Sequence, residues 1–194
     1  MLVIINIGNK VMYPGQGPCL IGSVVKKEVA GNPMSFYRLV LLGDSGGELF
    51  VPLEKAPTLG LRPLLNPSEI PSLMARLTTP AQAHKDWKQR AQDHTKLLSS
   101  GSAFDLAEVV ASLTELNERK PLSTREAQVL DRAKRLLICE VSEVQNETKS
   151  EAEARINRAL SARVAAPAGA SALLQLEKES EKEPEKESEN EIDG

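Results

Sequence analysis

The chain is poor in the residues that usually announce a chemistry. Among 194 residues there are two cysteines, two histidines, one Trp, two Tyr and three Phe. Cys19 and Cys139 lie far apart and do not amount to a disulfide framework, so a reducing, cytoplasmic location is the expectation. His84 and His94 stand ten residues apart, not one helical turn, and with the two cysteines they match no zinc-ligand spacing. No metal and no cofactor are therefore expected. No apolar run approaches the ~18 residues a membrane helix needs. The opening Met1-Leu-Val-Ile-Ile-Asn-Ile7 is too short for a signal peptide and has no basic residue before it.

Catalytic motifs are equally scarce. There is no P-loop, and Gly15-Gln-Gly17 is too short for a dinucleotide fingerprint and precedes a strand where the fingerprint needs a helix. Gly43-Asp-Ser-Gly-Gly47 reproduces the nucleophile loop of trypsin-like proteases, but that chemistry needs a histidine upstream to take the serine proton, and both histidines lie downstream. The stretch reads as a hairpin turn. The expectation is a protein that is not an enzyme and has no small-molecule substrate.

Charge is present in plenty, unevenly placed. The formal net charge is −3, yet residues 177–194 hold nine acids against three lysines and so carry −6. The body, residues 1–176, is +3. The segment from 164 onward has linker composition and then mostly Glu, Lys and Ser, and it reads as a disordered acidic tail.

The body divides by periodicity. Up to about residue 60, short runs rich in Val, Ile, Leu, Tyr and Phe (2–6, 10–13, 19–26, 35–42 and 48–52) alternate with turn chemistry such as Pro14-Gly-Gln-Gly17 and Ala30-Gly-Asn-Pro33. Five short strands in so little chain predict a small, strongly bent SH3 or Tudor type of barrel. An edge left open on such a barrel can pair with a partner's strand. From residue 66 the signal changes to helices. Asn66-Pro-Ser-Glu69, Thr79-Pro-Ala-Gln82, Ser102-Ala-Phe-Asp105, Ser123-Thr-Arg-Glu126 and Thr148-Lys-Ser-Glu151 each place an N-cap oxygen three residues before an acid or amide. They predict helices at about 67–77, 80–99, 103–118, 124–145 and 149–163. The fourth carries an apolar stripe of Leu130, Ala133, Leu137, Val141 and Val144. The fold class is α+β: a Tudor-like domain over 1–62, a compact five-helix domain over 66–163, and the tail over 164–194.

Trp87, the sole tryptophan, stands in the polar run His84-Lys-Asp-Trp-Lys-Gln-Arg90. Its face is shared with Ala83 and Ala91, which suits a core anchor. Its neighbours Lys85, Lys88 and Arg90 equally suit a surface ring that enters an opened minor groove while the cations hold phosphates. The residues by themselves leave both readings open. Arg119, Lys120, Arg125, Arg132, Lys134 and Arg135 add a basic cluster around the start of the fourth helix, a pattern also common on solvated helix faces.

The order of these features resembles the CarD/CdnL family of bacterial transcription regulators from about residue 7 to 163. The blocks are Ile7-Gly-Asn-Lys-Val-Met-Tyr-Pro-Gly-Gln-Gly17, Ser35-Phe-Tyr-Arg-Leu39, Val51-Pro52, Leu59-Gly-Leu-Arg62 and Trp87 with Arg90. Ser100-Gly101, Leu106-Ala-Glu-Val-Val110, Leu122-Ser123 and Leu130-Asp-Arg-Ala-Lys-Arg-Leu-Leu137 follow. The resemblance implies a Tudor-like module that binds the RNA polymerase β subunit. It also implies a helical part on promoter DNA at the upstream edge of the bubble, where a tryptophan wedges into the minor groove and stabilises the open complex. By position, Trp87 is the wedge, with Arg90, Lys88 and Lys85 beside it and Arg132 and Lys134 on the DNA-facing helix. Lys27 and the strand Glu48-Leu49-Phe50-Val51-Pro52 fall at polymerase-contacting positions. A monomer in the bacterial cytoplasm, drawn to the nucleoid through polymerase and with no membrane contact, is implied. Three positions depart from the pattern: Gln89 and Ala111 stand where relatives have basic residues, and Phe50 where some place an Arg. The competing class is a protein–protein adaptor that uses the barrel and never touches DNA.

Overall fold

The computed structural model describes residues 5–43, 46–79 and 87–164, apart from the side chains of Trp87 and Val164. Strands β1 (Lys10–Tyr13), β2 (Gly17–Val29), β3 (Asn32–Leu41) and β4 (Glu48–Pro52) form an antiparallel meander, and β5 (Arg62–Pro63) returns to pair with β1. The resulting order, β4-β3-β2-β1-β5 with a 3-10 turn at Leu53–Lys55, is SH3/Tudor-like. β2 makes the bend. Its first residues pair with β1 and its remainder with β3, and the register shifts between Ile21 and Ser23, a bulge that lets one long strand serve two halves of the sheet. Of the expected first strand, residues 2–4 lie outside the described residues, and Ile5 and Asn6 are not in a strand. Asp44 and Ser45 of the protease-like stretch also lie outside them.

The helices are α1 (Ile70–Thr78), α2 (Trp87–Ser100), α3 (Ala103–Arg119), α4 (Thr124–Gln145) and α5 (Lys149–Val164). The capping chemistry is in place where the expected residues are described. Glu126 accepts from the Ser123 backbone N–H at 3.0 Å while Ser123 Oγ accepts from the Glu126 N–H at 3.3 Å, and Thr148 and Glu151 repeat the exchange. Ser102 Oγ accepts from Asp105 N–H. At Asn66 the chain first makes a 3-10 turn (Pro67–Glu69), so α1 starts later than its cap suggests. Thr79-Pro-Ala-Gln82 runs into residues outside the described set, and α2 is seen from Trp87 onward.

Two apolar clusters form. One lies within the sheet, on Val11, Cys19, Ile21, Leu39, Val51, Ala56 and Leu61. Its burial raises the Cys19 thiol pKa to about 11, so that thiol is inert at neutral pH. The other fills the helical part around Leu73, Leu77, Leu106, Leu113, Leu137 and Ile156. They meet at β1. Because strand side chains alternate, Val11 enters the sheet cluster while Met12, 1% exposed, enters the helical one. Pro14 then packs where two glycines with left-handed φ meet. A Cβ on Gly60 (φ +76°) or Gly101 (φ +76°) would lie 2.9 or 2.8 Å from Pro14 Cγ, so neither position admits a side chain.

The junction is completed by an ion pair. Glu140 sits on the buried face of α4 with no exposed surface, and Arg62 of β5 meets it in a two-pronged arrangement at 2.6 and 2.8 Å. Arg62 Nε also donates to the Gly101 carbonyl at 2.6 Å, and the Leu65 backbone N–H donates to Glu140 at 3.1 Å. Lys10–Glu143 at 2.7 Å and Arg132 Nη2 to the Gly15 carbonyl at 3.2 Å add outer ties. Removing one partner of a buried pair strands the other charge. Glu140→Ala is therefore expected to lower stability by about 3 kcal/mol, the low end of the range because Arg62 is partly exposed and can recruit water. Denaturant unfolding followed by helical circular dichroism measures it, and Glu140→Gln, which keeps the shape, should cost less.

Candidate functional site

The sheet presents one face and one edge to solvent. Cross-strand pairing places Val25, Lys27, Phe36, Arg38, Glu48, Phe50 and Pro52 on the outer side of β2–β4, opposite the side that carries Leu39, Leu49 and Val51. Phe50 is 42% exposed, and Lys27 Nζ lies 3.4 Å from its ring centroid, a cation–π contact across two strands. Arg38 hydrogen-bonds the Glu48 carboxylate beside it, which lowers that carboxylate's pKa and raises that of Arg38. β4 ends the sheet, so its outer backbone edge is unpaired by any described strand. Of the six residues expected to face polymerase, Lys27, Glu48, Phe50 and Pro52 thus share the outer face. Leu49 and Val51 turn inward to the sheet cluster and hold the strand in place.

The residues expected to face DNA are more dispersed. Trp87 is the first described residue of α2, and Lys88, exposed, follows it; Lys85 lies outside the described residues. Arg90 turns inward. Its side chain is only 11% exposed, it pairs with Glu126 at 2.9 Å, and it thereby fastens the start of α2 to the start of α4. Arg132 is exposed on α4, with Nη2 on the Gly15 carbonyl, and Lys134 faces Glu153 of α5 at 3.3 Å. Below this surface, His94 is buried against Ser112 Oγ at 3.2 Å, which sets α2 on α3. Ala111 is 2% exposed, and its carbonyl accepts from Arg163 Nη1 at 2.6 Å.

Two of these contacts were readable but unassigned in the sequence. Glu140 falls within the apolar register of α4, between Leu137 and Val144, and an acid there requires a buried cation. Arg90 falls on the α2 face that carries Ala91 and His94.

A bent sheet with an open edge is locked to a helical bundle, many of whose charged side chains pair with one another. Residues 5–65 match the family described as CarD-like/TRCF RID domain, and residues 73–157 match CarD, C-terminal domain. The YdeB protein of Bacillus subtilis (strain 168) is 24% identical over 148 residues, 75% of this chain and 95% of that relative. The solution NMR structure of the 72-residue N-terminal domain of Myxococcus xanthus CarD is 32% identical over 30% of this chain and 77% of that one, with a TM-score of 0.26. With both domain models matched in order, the chain belongs to the CarD/CdnL family. It is a CarD-like, RNA polymerase-interacting transcription factor, of a family that is in general non-enzymatic. No helix among the described residues is long and apolar enough to cross a membrane.

Glu126 is the electrostatic centre of the helical surface. Burial pushes its carboxyl pKa up, but hydrogen bonds from the Ser123 hydroxyl and backbone, then the Arg90 guanidinium, outweigh this and hold it at about 2. A carboxyl depressed on folding contributes stability above its unfolded pKa, near 4.5, and loses it as pH falls toward about 2. Glu126→Gln is expected to cost about 2 kcal/mol at pH 7. That deficit should shrink to nothing between pH 4.5 and pH 2 in a pH series of denaturant midpoints.

Proposed function

We propose that the protein docks on the RNA polymerase β subunit through the outer edge and face of β4, and from there stabilises the promoter open complex with Trp87 at the upstream edge of the bubble. The observation that supports this most is the pairing, in one chain, of an open β4 edge carrying Phe50 and Lys27 with a helical part locked to the same sheet. Strand addition would supply main-chain hydrogen bonds to polymerase, and Phe50 an apolar anchor beside them. Val51, buried, and Leu49, half-buried, pack behind the strand against the sheet cluster.

On the DNA side the reading assigns three roles. Trp87 enters the minor groove, Lys85, Lys88 and Arg132 meet the backbone, and Lys134 adds a cation on the same helix as Arg132. Arg90, spent on Glu126, orients the helix that carries Trp87. The effect is thermodynamic: a factor that binds the open complex better than the closed one shifts the equilibrium by that difference and no more. Tethering on polymerase raises the local concentration at DNA, so a body of +3 suffices. The chain would act in the bacterial cytoplasm, as a monomer.

Two surface variants test the two halves separately. Phe50→Glu is expected to abolish retention of the full chain by a β-subunit fragment, since it sets a charge at an exposed anchor without touching the core. Trp87→Ala should keep that retention and shorten open-complex lifetime roughly tenfold, the loss that about 1.4 kcal/mol of differential binding gives. If Trp87→Ala instead unfolds the helical part, the tryptophan is a core anchor. If lifetime and upstream footprint do not change, the adaptor reading without DNA contact replaces this one.

A further inference from the structure

Past the end of β4 the sheet continues as a ribbon of two strands. β4 pairs with residues 36–40 of β3, and β1 with the first four residues of β2. Residues 24–29 and 32–35 therefore pair only with each other among the described strands. From Phe36 to its end at Asn32 the ribbon runs about 13 Å, at the usual rise of an antiparallel strand.

The two faces of this ribbon differ. The side continuous with the core of the sheet carries Lys26 and Glu28, both exposed, opposite Ser35 and Pro33. The outer side carries Val25, Val29, Met34 and Phe36. Val29 is 45% exposed, and the other three are half-buried. Lys27 is the one charged residue on the outer side of the ribbon, and its ammonium is laid on the Phe50 ring of β4. A half-solvated antiparallel sheet ordinarily turns its apolar side to the core and its charges to water. Here the charges lie on the core side and the apolar stripe faces out. A two-stranded ribbon is marginal by itself, and an outward apolar stripe is the mark of an interaction surface.

We propose that the outer face of the β2–β3 ribbon is the second half of the docking surface for the polymerase β subunit, with Val29 and Met34 seated against an apolar patch of that subunit. The inference rests on the docking reading above and extends it from β4 to the hairpin. Two arguments choose this occupant. The first is continuity. Phe36 stands opposite Pro52, and Lys27 reaches from the ribbon to Phe50, so the stripe from Val29 to Pro52 runs on one side of the sheet without a gap in register. The second is size. β4 offers five residues, whereas a stable interface draws about 20–30 from each side. Strand addition on so short an edge needs further burial, and the ribbon supplies apolar surface contiguous with it. Charge adds a condition on the partner. Arg38 and Glu48 satisfy each other, which leaves Lys27 to set the sign, so the face suits an apolar surface edged with acid and rejects a basic one.

The test measures the affinity of the full chain for a β-subunit fragment. Val29→Asp and Met34→Glu are each expected to weaken it at least about tenfold. Val24→Asp, an equally exposed valine on the opposite face of the same ribbon, should leave it within about twofold. Val24 and Val29 are both at the surface, so the fold should hold, and circular dichroism checks all three variants. Native affinity in folded Val29→Asp and Met34→Glu, with Phe50→Glu still unable to bind, would overturn the ribbon and leave docking through β4 intact. Loss in the ribbon variants with native binding by Phe50→Glu would keep the ribbon and overturn the role given to β4. Equal loss in Val24→Asp would overturn the proposal, since the face would then not matter. So would sedimentation of the native chain as a dimer and of Val29→Asp as a monomer, which assigns the face to a second copy.

Discussion

Glu140 has no exposed surface, and a carboxylate in that position is tolerable only because the chain brings three separate donors to it and its partner. Two come from Arg62 in a fork, and the third from the Leu65 backbone. Arg62 in turn spans to Gly101, at the end of α2. The sheet, the segment after β5, the α2–α3 corner and α4 therefore converge on one ion pair. Measured against apolar packing, a buried pair of this kind adds little net stability. What it does is penalise alternatives: any other placement of the sheet on the helices leaves a carboxylate buried and unpaired. Pro14 between Gly60 and Gly101, and Met12 inserted from β1 into the helical cluster, act in the same sense by shape. The chain through Arg163 is accordingly one compact unit. A strand edge on one side and the start of α2 on the other are held in a fixed relation, which is what a factor needs if its docking on one partner is to aim it at another.

Four arginines of the helical part follow one pattern. Arg76 pairs with Glu108, Arg90 with Glu126, Arg155 with Glu147, and Arg163 with Glu115 and the Ala111 carbonyl. These are forked cations spent on helix-to-helix and cap contacts, where the planar guanidinium is better suited than a lysine ammonium. Part of the positive charge of the body is thereby committed internally. For the DNA contact proposed above this leaves fewer cations to release counterions, and phosphate contacts scale with that number. An interaction that depends on tethering fits this arrangement better than one that depends on long-range attraction.

Much of this was legible in the sequence because it is local. β1 and β4 fall where alternation put them, and the caps at Ser102, Ser123 and Thr148 and the stripe of α4 are short-range patterns that the fold preserves. The α+β class and the family likeness follow from the same signals. What escaped is non-local. β5 is two residues long, too short for alternation to register, and exists only because β1 is there to pair with it. β2 runs longer at both ends than its apolar run, since pairing on two sides, not composition, defines its length. Arg90 reads as a phosphate-binding neighbour of Trp87 in a linear run of charges. Only the arrival of α4, 36 residues later, shows that Glu126 holds it. The signal was present as an arginine on the inward register of an amphipathic helix, but naming its partner requires the packing.

Phe50 shows how such a contact can change the character of a surface without changing its charge. Phe50 is an exposed ring, and Lys27 from two strands away sets its ammonium over it. The positive charge of Lys27 on the outer face thus sits over an apolar group and not at the end of a fork. A guanidinium would reward a carboxylate in planar register; an ammonium on a ring face is less directional and is easier to desolvate together with its aromatic support. The neighbouring charges reinforce the shift, since Arg38 and Glu48 satisfy each other and leave the ring, Pro52 and Lys27 as the unspent part of the face. In the docking proposed above, recognition through β4 would rest on main-chain pairing along the edge plus burial of one ring, with charge setting orientation more than affinity. Because the ring, the lysine and the edge all belong to strands registered on β3, and β5 of the same sheet carries the Arg62 that pairs with Glu140 of α4, the docking proposed above would pass from the sheet to the helices through that pair.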